Sequence, residues 1–428
     1  MTGDEMLVPP TDEHDTAAHA AELEDVAGHG IARHGRLPET TRARSVFGAL
    51  TFCVVVSLVA VTTIGAIVYA RTIGSIPRID DPVAAPADPV SIEGGANILV
   101  VGSDDRTGQG AEFGEGQVDA EGVLNDVNML VHIAEDQSSI SVVSIPRDTI
   151  VDTPSCTNDE GVDVPEKFGV AFNSILQEGG LSCVRTAAEQ LSGLPIQYAG
   201  MVQFRGVIAI SNAIGGVTVC VANEIDDEYI PFHLAPGEHT LKGEDALKFL
   251  RTRHGLDGES DLARIANQQL FLSALVQQVK SGDTLANPVK LYGIASAVTQ
   301  NMTLTSGLAN PDTLVAFAGV LSKVPLERIR FAQLPVVDSD EVAGKVEPLE
   351  PDATAMWERI RADSPVDVET SGSTATAPSD GAPVTDPTDT GGTTGTGVEP
   401  APDGATGTTT QAPTVPGQAA DVQGCANG

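Results

Sequence analysis

The sequence predicts a layered α/β fold that is preceded by one transmembrane helix. Apolar runs of strand length alternate with stretches of helix length along residues 96–362, as expected of helices packed on a sheet. Residues 46–70 form a separate apolar run without charged residues. The chain of 428 residues is 41% hydrophobic, which is enough apolar material for a packed core.

The segment before the α/β region predicts the topology. Residues 1–45 are polar without a sustained period, so we expect a disordered cytoplasmic segment. The run 46–70 is long enough to span a bilayer. Four arginines lie just before it, whereas Arg71 and Arg78 follow it, which places the N-terminus inside and the rest of the chain outside the cell membrane. A cleaved signal peptide or a buried core helix is the alternative, but a signal peptide normally has a shorter apolar core and a nearby A-x-A site.

Short local patterns predict the elements that follow. Residues 71–95 contain four prolines and are expected to form an extracellular linker. Residues 98–101 are continuously apolar, which is typical of a strand buried on both faces. The turn EDQSS joins the next two strand candidates into a hairpin. Strands are predicted at 98–101, 129–134, 140–146, 215–221 and 328–337, and helices at 182–192, 205–213, 243–251 and 261–281.

The net charge of the chain and the composition of its C-terminal part limit the partners and the structure that we expect. The formal net charge is −35, which argues against nucleic acid as a partner. No Lys or Arg follows Arg361, and residues 363–428 are rich in Thr, Gly, Pro and Ser, so we expect a disordered tail.

Cys156 and Cys183 lie in loop-like sequence, where a disulfide would form in an oxidising compartment; free thiols are the alternative. No CxxC or HxxxH pair indicates zinc.

Acidic residues stand where predicted strands end. Asp104 and Asp105 follow the first strand, and Asp126 stands just before the second. Ligands gather at strand ends of α/β sheets, and carboxylates from two strands can hold a magnesium ion. Ordinary solvent-exposed aspartates are the alternative.

Arginines stand at the ends of other predicted elements. Arg147 follows the third strand, and Arg251 and Arg253 alternate, so that in an extended chain they share a face. Asp261 begins a predicted helix in which Arg264 and Gln268 lie one above the other. Guanidinium groups match phosphate oxygens in pairs, and helix N-termini favour anions. The pattern therefore predicts a pyrophosphate site, with intramolecular ion pairs as the alternative.

Other catalytic patterns are missing from the sequence. It contains no GxSxG and no Walker A motif. His132 lies in an apolar strand and is expected to be a core residue, whereas His254 neighbours the arginines.

Taken in order, the membrane span and the motifs NILVVGSDDR, NDVNMLVHI, SIPRDT, FNSILQEGG, AIGGVTV, RTRH and SDLARIANQQ resemble the LytR-CpsA-Psr family of cell-wall glycopolymer ligases. The resemblance covers about residues 96–340 of a predicted catalytic domain at 96–362. It implies a layered α-β-α sandwich with a central mixed sheet. It also implies a membrane-anchored, Mg²⁺- or Mn²⁺-dependent phosphotransferase that moves a glycopolymer from an undecaprenyl (polyprenyl) pyrophosphate carrier onto peptidoglycan.

The resemblance assigns roles to individual positions. It implies metal binding by Asp104 and Asp126; catalysis by Arg147, Arg251, Arg253, Arg264 and Asp261; and substrate binding by Gln268, Asn173 and Arg106. The apolar elements around them would form the pocket for the polyprenyl chain.

Two positions depart from the family pattern. Leu124 and Asn267 stand where the family often has arginine. These departures keep open a non-catalytic protein that binds lipid diphosphates or cell wall, and a lipid pyrophosphatase would use the same site with water as acceptor. Because the aspartates and four arginines are retained, catalysis is favoured. Teichoic acid, arabinogalactan and capsular polysaccharide are all compatible as the polymer.

Overall fold

The computed structural model describes residues 50–60, 62–63, 78–79, 92, 94–105, 123–281, 284–285, 287–369 and 414–427. The chain divides into two units, Met1–Val68 and Tyr69–Gly428. In the first unit, residues 50–60 and 62–63 are helical. Within the described ranges, no helix combines the length and the hydropathy needed to cross a bilayer. Residues 1–45, most of the predicted linker and residues 46–49, 61 and 64–70 of the predicted span lie outside these ranges.

The second unit is built on a nine-stranded mixed sheet. Its order is β1 (Arg78–Ile79), β14 (Met302–Thr305), β9 (Tyr198–Val202), β2 (Ala96–Ser103), β3 (Asn125–Ile133), β4 (Ile140–Ser144), β15 (Ile329–Gln333), β19 (Val415–Ala419) and β18 (Val368–Glu369). Strands β2, β3 and β4 are antiparallel neighbours, so the predicted hairpin is present. Strand β9 runs parallel to β2, and β15 runs parallel to β4. The prediction of an α/β fold with a mixed sheet is confirmed.

Helices cover both faces of this sheet. They are α1 (Ile175–Ser192), α2 (Phe204–Ile214), α3 (Glu244–Arg251), α4 (Asp261–Ser281), α5 (Pro288–Asn301), α6 (Pro311–Lys323) and α7 (Asp352–Arg361). Successive strand residues point to opposite faces, so Leu130 packs with α1 and α7 whereas Met129 packs with α4 and α6. The two hydrophobic cores give three layers.

Smaller sheets flank the large one. The strand β10 (Val217–Val221) lies between β13 (Gly237–Leu241) and β20 (Cys425–Ala426). The remaining pairs are β5 (Ile150–Thr153) with β8 (Lys167–Ala171), β6 (Cys156–Thr157) with β7 (Asp163–Val164), β11 (Ile225–Asp227) with β12 (Phe232–Leu234), and β16 (Val336–Asp338) with β17 (Val346–Pro348). Short 3₁₀ helices occupy Phe172–Ser174 and Leu326–Arg328.

The C-terminus departs from the disordered tail predicted for residues 363–428. Strand β19 pairs antiparallel with β15, and Cys425 forms a disulfide with Cys220. Val415 and Ala420 are almost completely buried. The prediction is therefore wrong for residues 363–369 and 414–427, since Val366 is also buried and β18 pairs with β19. A covalent link and buried apolar contacts compensate for the low hydrophobicity of these segments. Residues 370–413 lie outside the described ranges.

The pair of cysteines singled out by the sequence is also joined. The sulfur atoms of Cys156 and Cys183 form a disulfide across 27 residues. This link ties the β6 segment to helix α1, whose residue Cys183 is buried in the core beneath the sheet.

Candidate functional site

One edge of the large sheet gathers the predicted acidic residues. Because β2 and β3 are antiparallel, the end of β2 meets the start of β3, and Ser103 pairs with Asn125. Asp104 follows β2 directly, and Asp126 is the second residue of β3 rather than a residue before the strand. Strand β4 runs antiparallel to β3 and ends at Ser144, so the chain carries Arg147 to the same edge.

Arg147 is held by three carboxylates. Its Nη1 donates to Asp126 Oδ1 at 2.7 Å. Its Nε lies 3.4 Å from Asp148 Oδ2 and 3.5 Å from Asp261 Oδ1. Burial alone would lower the pKa of Arg147, but the charges of Asp126, Asp261 and Asp148 outweigh it and raise this pKa. The guanidinium is therefore a fixed positive charge.

The α3–α4 connection brings the other arginines to this edge. Arg251 is the last residue of α3, and Arg253 follows in the connection. Ser260 caps α4, because its Oγ accepts a hydrogen bond from Ala263 N at 3.1 Å. In the first turn of α4, Arg264 Nη2 donates to the backbone oxygen of Asp126 at 2.8 Å. This bond couples α4 to the start of β3.

Asp261 is the counter-ion of the arginines, and its side chain is 14% exposed. Its Oδ1 lies 2.6 Å from Arg264 Nη2, 3.5 Å from Arg147 Nε and 3.8 Å from Arg253 Nη1. Burial raises the pKa of Asp261, although these arginines act in the opposite direction. Among the described residues, neither Asp261 oxygen has a partner in hydrogen-bond geometry, nor do the Nε atoms of Arg147 and Arg264. The contacts of Asp261 with the arginines are therefore ionic rather than hydrogen-bonded. The Nε groups of Arg147 and Arg264 remain as buried donors that no acceptor within the site satisfies.

A cavity of about 540 Å³ opens at this cluster. Its inner wall is apolar and comes from the sheet and from helices α2, α3 and α4, with Val100, Met129, Phe204, Val207, Ile210, Leu247, Phe271, Leu272 and Met302. Its acidic and basic lining residues are Asp104, Asp126, Asp227, Arg147, Arg251, Arg253, Arg264 and His254. The Arg251 guanidinium carbon lies 4.3 Å from the centre of the Phe204 ring, a cation–π contact. The arrangement suits an amphiphile with an anionic head and an apolar chain.

Asp227 organises the cavity entrance and was not identified from the sequence. Its carboxylate accepts hydrogen bonds from Thr252 Oγ1 at 2.6 Å, Arg253 N at 3.2 Å and Tyr229 N at 3.0 Å. Burial acts to raise its pKa, but these hydrogen bonds prevail and lower it. The available signal was weak, since a lone aspartate before a turn is a common pattern.

Helix α4 uses two neighbouring amides to cap α3. Gln268 lines the cavity, but its Nε2 donates to Leu250 O at 3.0 Å. Asn267 Nδ2 donates to Phe249 O at 2.7 Å. Asn267 lines a different cavity, of about 380 Å³, beside the C-terminal segment. The charge that the resemblance led us to expect at Asn267 would therefore lie away from the arginine cluster.

The other residues named from the sequence are placed as follows. Asn173 supports the Arg147 loop, since its backbone N donates to Arg147 O at 2.9 Å. Leu124 is buried, and its backbone N donates to Asp104 Oδ1 at 2.7 Å.

His132 is a core residue between Asn97 and Asp363, and burial lowers its pKa against the opposing effect of Asp363. Arg106 lies outside the described residues.

Asp104 and Asp126 are the residues that could hold a divalent cation. Both line the cavity, and hard carboxylate oxygens are the ligands that magnesium prefers. Within the described part of the chain, no group of three or more His, Cys, Asp or Glu side chains is arranged for a metal ion. Two carboxylates nevertheless fit magnesium, because it usually completes its coordination with water and substrate phosphate.

Comparison with known proteins gives consistent matches. The model of the LytR_cpsA_psr family matches residues 78–362. The cell wall biosynthesis protein LcpA of Corynebacterium glutamicum is 32% identical over 270 residues, which are 58% of this chain and 51% of that protein. The polyisoprenyl-teichoic acid–peptidoglycan teichoic acid transferase TagT of Bacillus subtilis is 26% identical over 234 residues, which are 53% of this chain and 65% of that protein.

The chain therefore spans about half to two thirds of the length of these relatives. Among solved structures, protein gbs0355 of Streptococcus agalactiae matches with a TM-score of 0.52 and 21% identity. The match covers 66% of this chain and 92% of that one, and it supports the fold.

Proposed function

The chain belongs to the LytR_cpsA_psr family, and from that premise we propose that it is a phosphotransferase that moves a glycopolymer from a polyprenyl-pyrophosphate carrier onto peptidoglycan. The observation that carries the proposal is the apolar cavity whose lining holds four arginines together with Asp104, Asp126 and Asp227. The relatives named as teichoic acid transferases give it further support.

The reaction follows from the arrangement of charges. The polyprenyl chain occupies the apolar cavity, and Arg147, Arg251, Arg253 and Arg264 bind the diphosphate. A peptidoglycan hydroxyl attacks the phosphorus that carries the glycan, a phosphodiester forms, and the bond to the polyprenyl phosphate leaving group breaks. The hydroxyl proton passes to an aspartate of the cavity lining, for which Asp104 and Asp126 are the candidates. Each already accepts a hydrogen bond, Asp104 from Leu124 N and Asp126 from Arg147. The arginines stabilise the charge that spreads over the phosphoryl oxygens.

Arg147 tests the assignment most directly. The full-length protein is given a polyprenyl diphosphate that carries one sugar, together with peptidoglycan fragments. Arg147→Ala is expected to lower kcat/KM about 100-fold or more, because a preorganised donor to the developing charge is lost. Arg328→Ala, which changes an exposed arginine on another surface, serves as the control. Wild-type activity in Arg147→Ala would refute the assignment.

The products separate the proposed function from its two alternatives. Glycan attached to peptidoglycan, with release of polyprenyl phosphate, supports the transferase. Release of polyprenyl phosphate without a peptidoglycan product indicates a lipid pyrophosphatase. Binding of the lipid without turnover indicates a non-catalytic binding protein.

We propose that Asp104 and Asp126 hold a Mg²⁺ or Mn²⁺ ion, which would neutralise diphosphate charge when bound. Chelation by EDTA is expected to abolish turnover, and either ion should restore it. Asp126→Asn should weaken Mn²⁺ binding, measured by electron paramagnetic resonance, whereas Asp136→Asn, an exposed control, should not. Unchanged Mn²⁺ affinity in Asp126→Asn would contradict the metal assignment.

We also propose that residues 46–70 anchor the protein in the cell membrane, with the N-terminus cytoplasmic and the second unit outside. The support is the uncharged apolar run and the arginines before it. A protease added to intact cells should digest residues 96–428 and spare residues 1–45. Protection of the second unit would reverse the assigned orientation.

A further inference from the structure

Tyr229 is an exposed aromatic residue in the lining of the charged cavity. The residue is 78% exposed, whereas Phe204 and Phe271, which also line the cavity, are 8% and 4% exposed. The Tyr229 ring lies against His254, with centroids 4.1 Å apart and planes 32° apart. An aromatic ring that is left this open at a ligand cavity offers one face for stacking.

The position of this ring is built into the fold. Asp227 accepts hydrogen bonds from Tyr229 N at 3.0 Å and Ile230 N at 3.3 Å, which fixes the turn that carries the ring. The same carboxylate binds Thr252 Oγ1 and Arg253 N, which fixes the segment that carries His254. One buried side chain therefore holds both halves of the ring pair together.

The ring pair adjoins the arginine cluster. His254 follows Arg253 directly, so their Cα atoms are about 3.8 Å apart. Arg253 is paired with Asp261 in the cluster, with Nη1 3.8 Å from Oδ1. The rings and the arginines therefore line the same cavity side by side, so a group bonded to a diphosphate at the arginines lies next to the rings.

Resting on the proposed function, we propose that Tyr229 and His254 form a saccharide-binding platform at the cavity mouth. The C–H bonds on one face of a pyranose are weakly positive and pack on the negative face of an aromatic ring. Glu259 Oε2, which lies 3.5 Å from His254 Nδ1, adds an acceptor for sugar hydroxyls. The sugar nearest the diphosphate of the carrier fits this place, and a sugar of the acceptor glycan has the same chemistry.

Equilibrium binding tests the platform without requiring turnover. Calorimetry with the full-length protein gives the Kd of farnesyl diphosphate and of the same lipid carrying one N-acetylglucosamine on the diphosphate. The ratio of the two Kd values is compared between wild type and Tyr229→Ala. We expect the preference for the sugar-bearing lipid to fall roughly three- to ten-fold, as for the loss of one aromatic contact. Tyr229→Phe, which keeps the ring, should restore it.

The controls separate the possible results. Phe168→Ala removes a similarly exposed ring (71%) that does not line the cavity, and it should leave the ratio unchanged. If the lipid ratio is constant but Tyr229→Ala weakens binding of the N-acetylglucosaminyl–N-acetylmuramyl disaccharide, the platform holds the acceptor sugar. If neither changes, or if Tyr229→Phe behaves like Tyr229→Ala, the platform is refuted. Absence of turnover in wild type would instead refute the proposed function and leave the binding ratio as a valid test.

Discussion

A single carboxylate, Asp227, joins the turn after β11 to the segment after α3. Each of its hydrogen bonds is charge-assisted, and the carboxylate is buried. Such bonds contribute more than neutral ones because the charged acceptor cannot be solvated where it lies. The geometry of Arg253 and Tyr229 therefore depends on one residue that has no part in the chemistry.

Asp227→Asn should destabilise the protein in a pH-dependent way. The pKa of Asp227 is lowered in the folded state, so its contribution is present above the unfolded pKa of about 4 and is lost as the pH falls through the folded value. We expect a loss of about 2 kcal/mol at pH 7 that shrinks below pH 4, measured by urea unfolding. Asp226→Asn, an exposed neighbour, is the control. A loss that does not vary with pH would contradict this role of the charge.

Asp261→Asn should make the thermal stability of the protein depend more strongly on an anion bound at the arginines. The substitution removes the counter-charge of Arg147, Arg253 and Arg264, and breaking a buried ion pair costs about 3–5 kcal/mol. Inorganic pyrophosphate can replace that charge, so it should raise the Tm of Asp261→Asn more than that of wild type. Asp421→Asn, which loses an outlying pair with Arg330, should respond like wild type. Equal shifts in all three proteins would argue against a pyrophosphate site.

At the residue scale, the chemistry of a side chain can be predicted from the sequence more readily than the identity of its hydrogen-bond partners. The arginines and Asp261 could be grouped because element ends meet at a sheet edge. Gln268 and Asn267 could not be assigned in this way, because their partners are the last carbonyls of α3, which lie 18 residues away in the chain. Such partners depend on helix–helix packing, which no local pattern encodes.

At the element scale, periodic segments were predicted well and context-dependent ones were not. The helix expected at 261–281 is observed as Asp261–Ser281. Strand β9 (Tyr198–Val202) was missed, although it lies inside the large sheet. Its sequence, YAGMV, contains a glycine, and a Cβ at Gly200 would come within 3.0 Å of Leu304 Cδ2. The glycine that weakens the local signal is the residue that permits the close packing.

The two disulfides should differ in their effect on stability. The Cys220–Cys425 link spans 205 residues and the Cys156–Cys183 link spans 27. Loop entropy predicts contributions of about 5 and about 3.5 kcal/mol respectively. Replacing Cys220 and Cys425 by Ala should therefore lower the free energy of unfolding more than replacing the other pair, as measured by urea titration without reductant. The opposite order would show that local packing, not loop length, decides.

At the scale of the whole molecule, the folded unit is larger than the family-model match. That match ends at residue 362, yet strands β18, β19 and β20 lie beyond it. The alternation of elements was sufficient to predict the α/β class, but the return of the C-terminus was not predictable from it. The low hydrophobicity of residues 414–427 indicated disorder. These residues are ordered because they pair with β15 and β10 and contact α4, and such contacts cannot be predicted from the segment alone.

The C-terminal segment should stabilise helix α4, and with it the arginine cluster. Gln277 Nε2 donates to Ala420 O at 2.7 Å, which joins α4 to the segment. A protease site engineered within 370–413 allows the chain to be cut before the C-terminal segment. A reductant opens the Cys220–Cys425 disulfide, and the two treatments are applied singly and together. Either treatment alone leaves one covalent connection, so amide hydrogen exchange in α4 should change little. Both together leave only noncovalent contacts of a short peptide, so we expect release of the peptide and faster exchange in α4. Unaltered exchange after both treatments would mean that α4 is held by the remaining core alone.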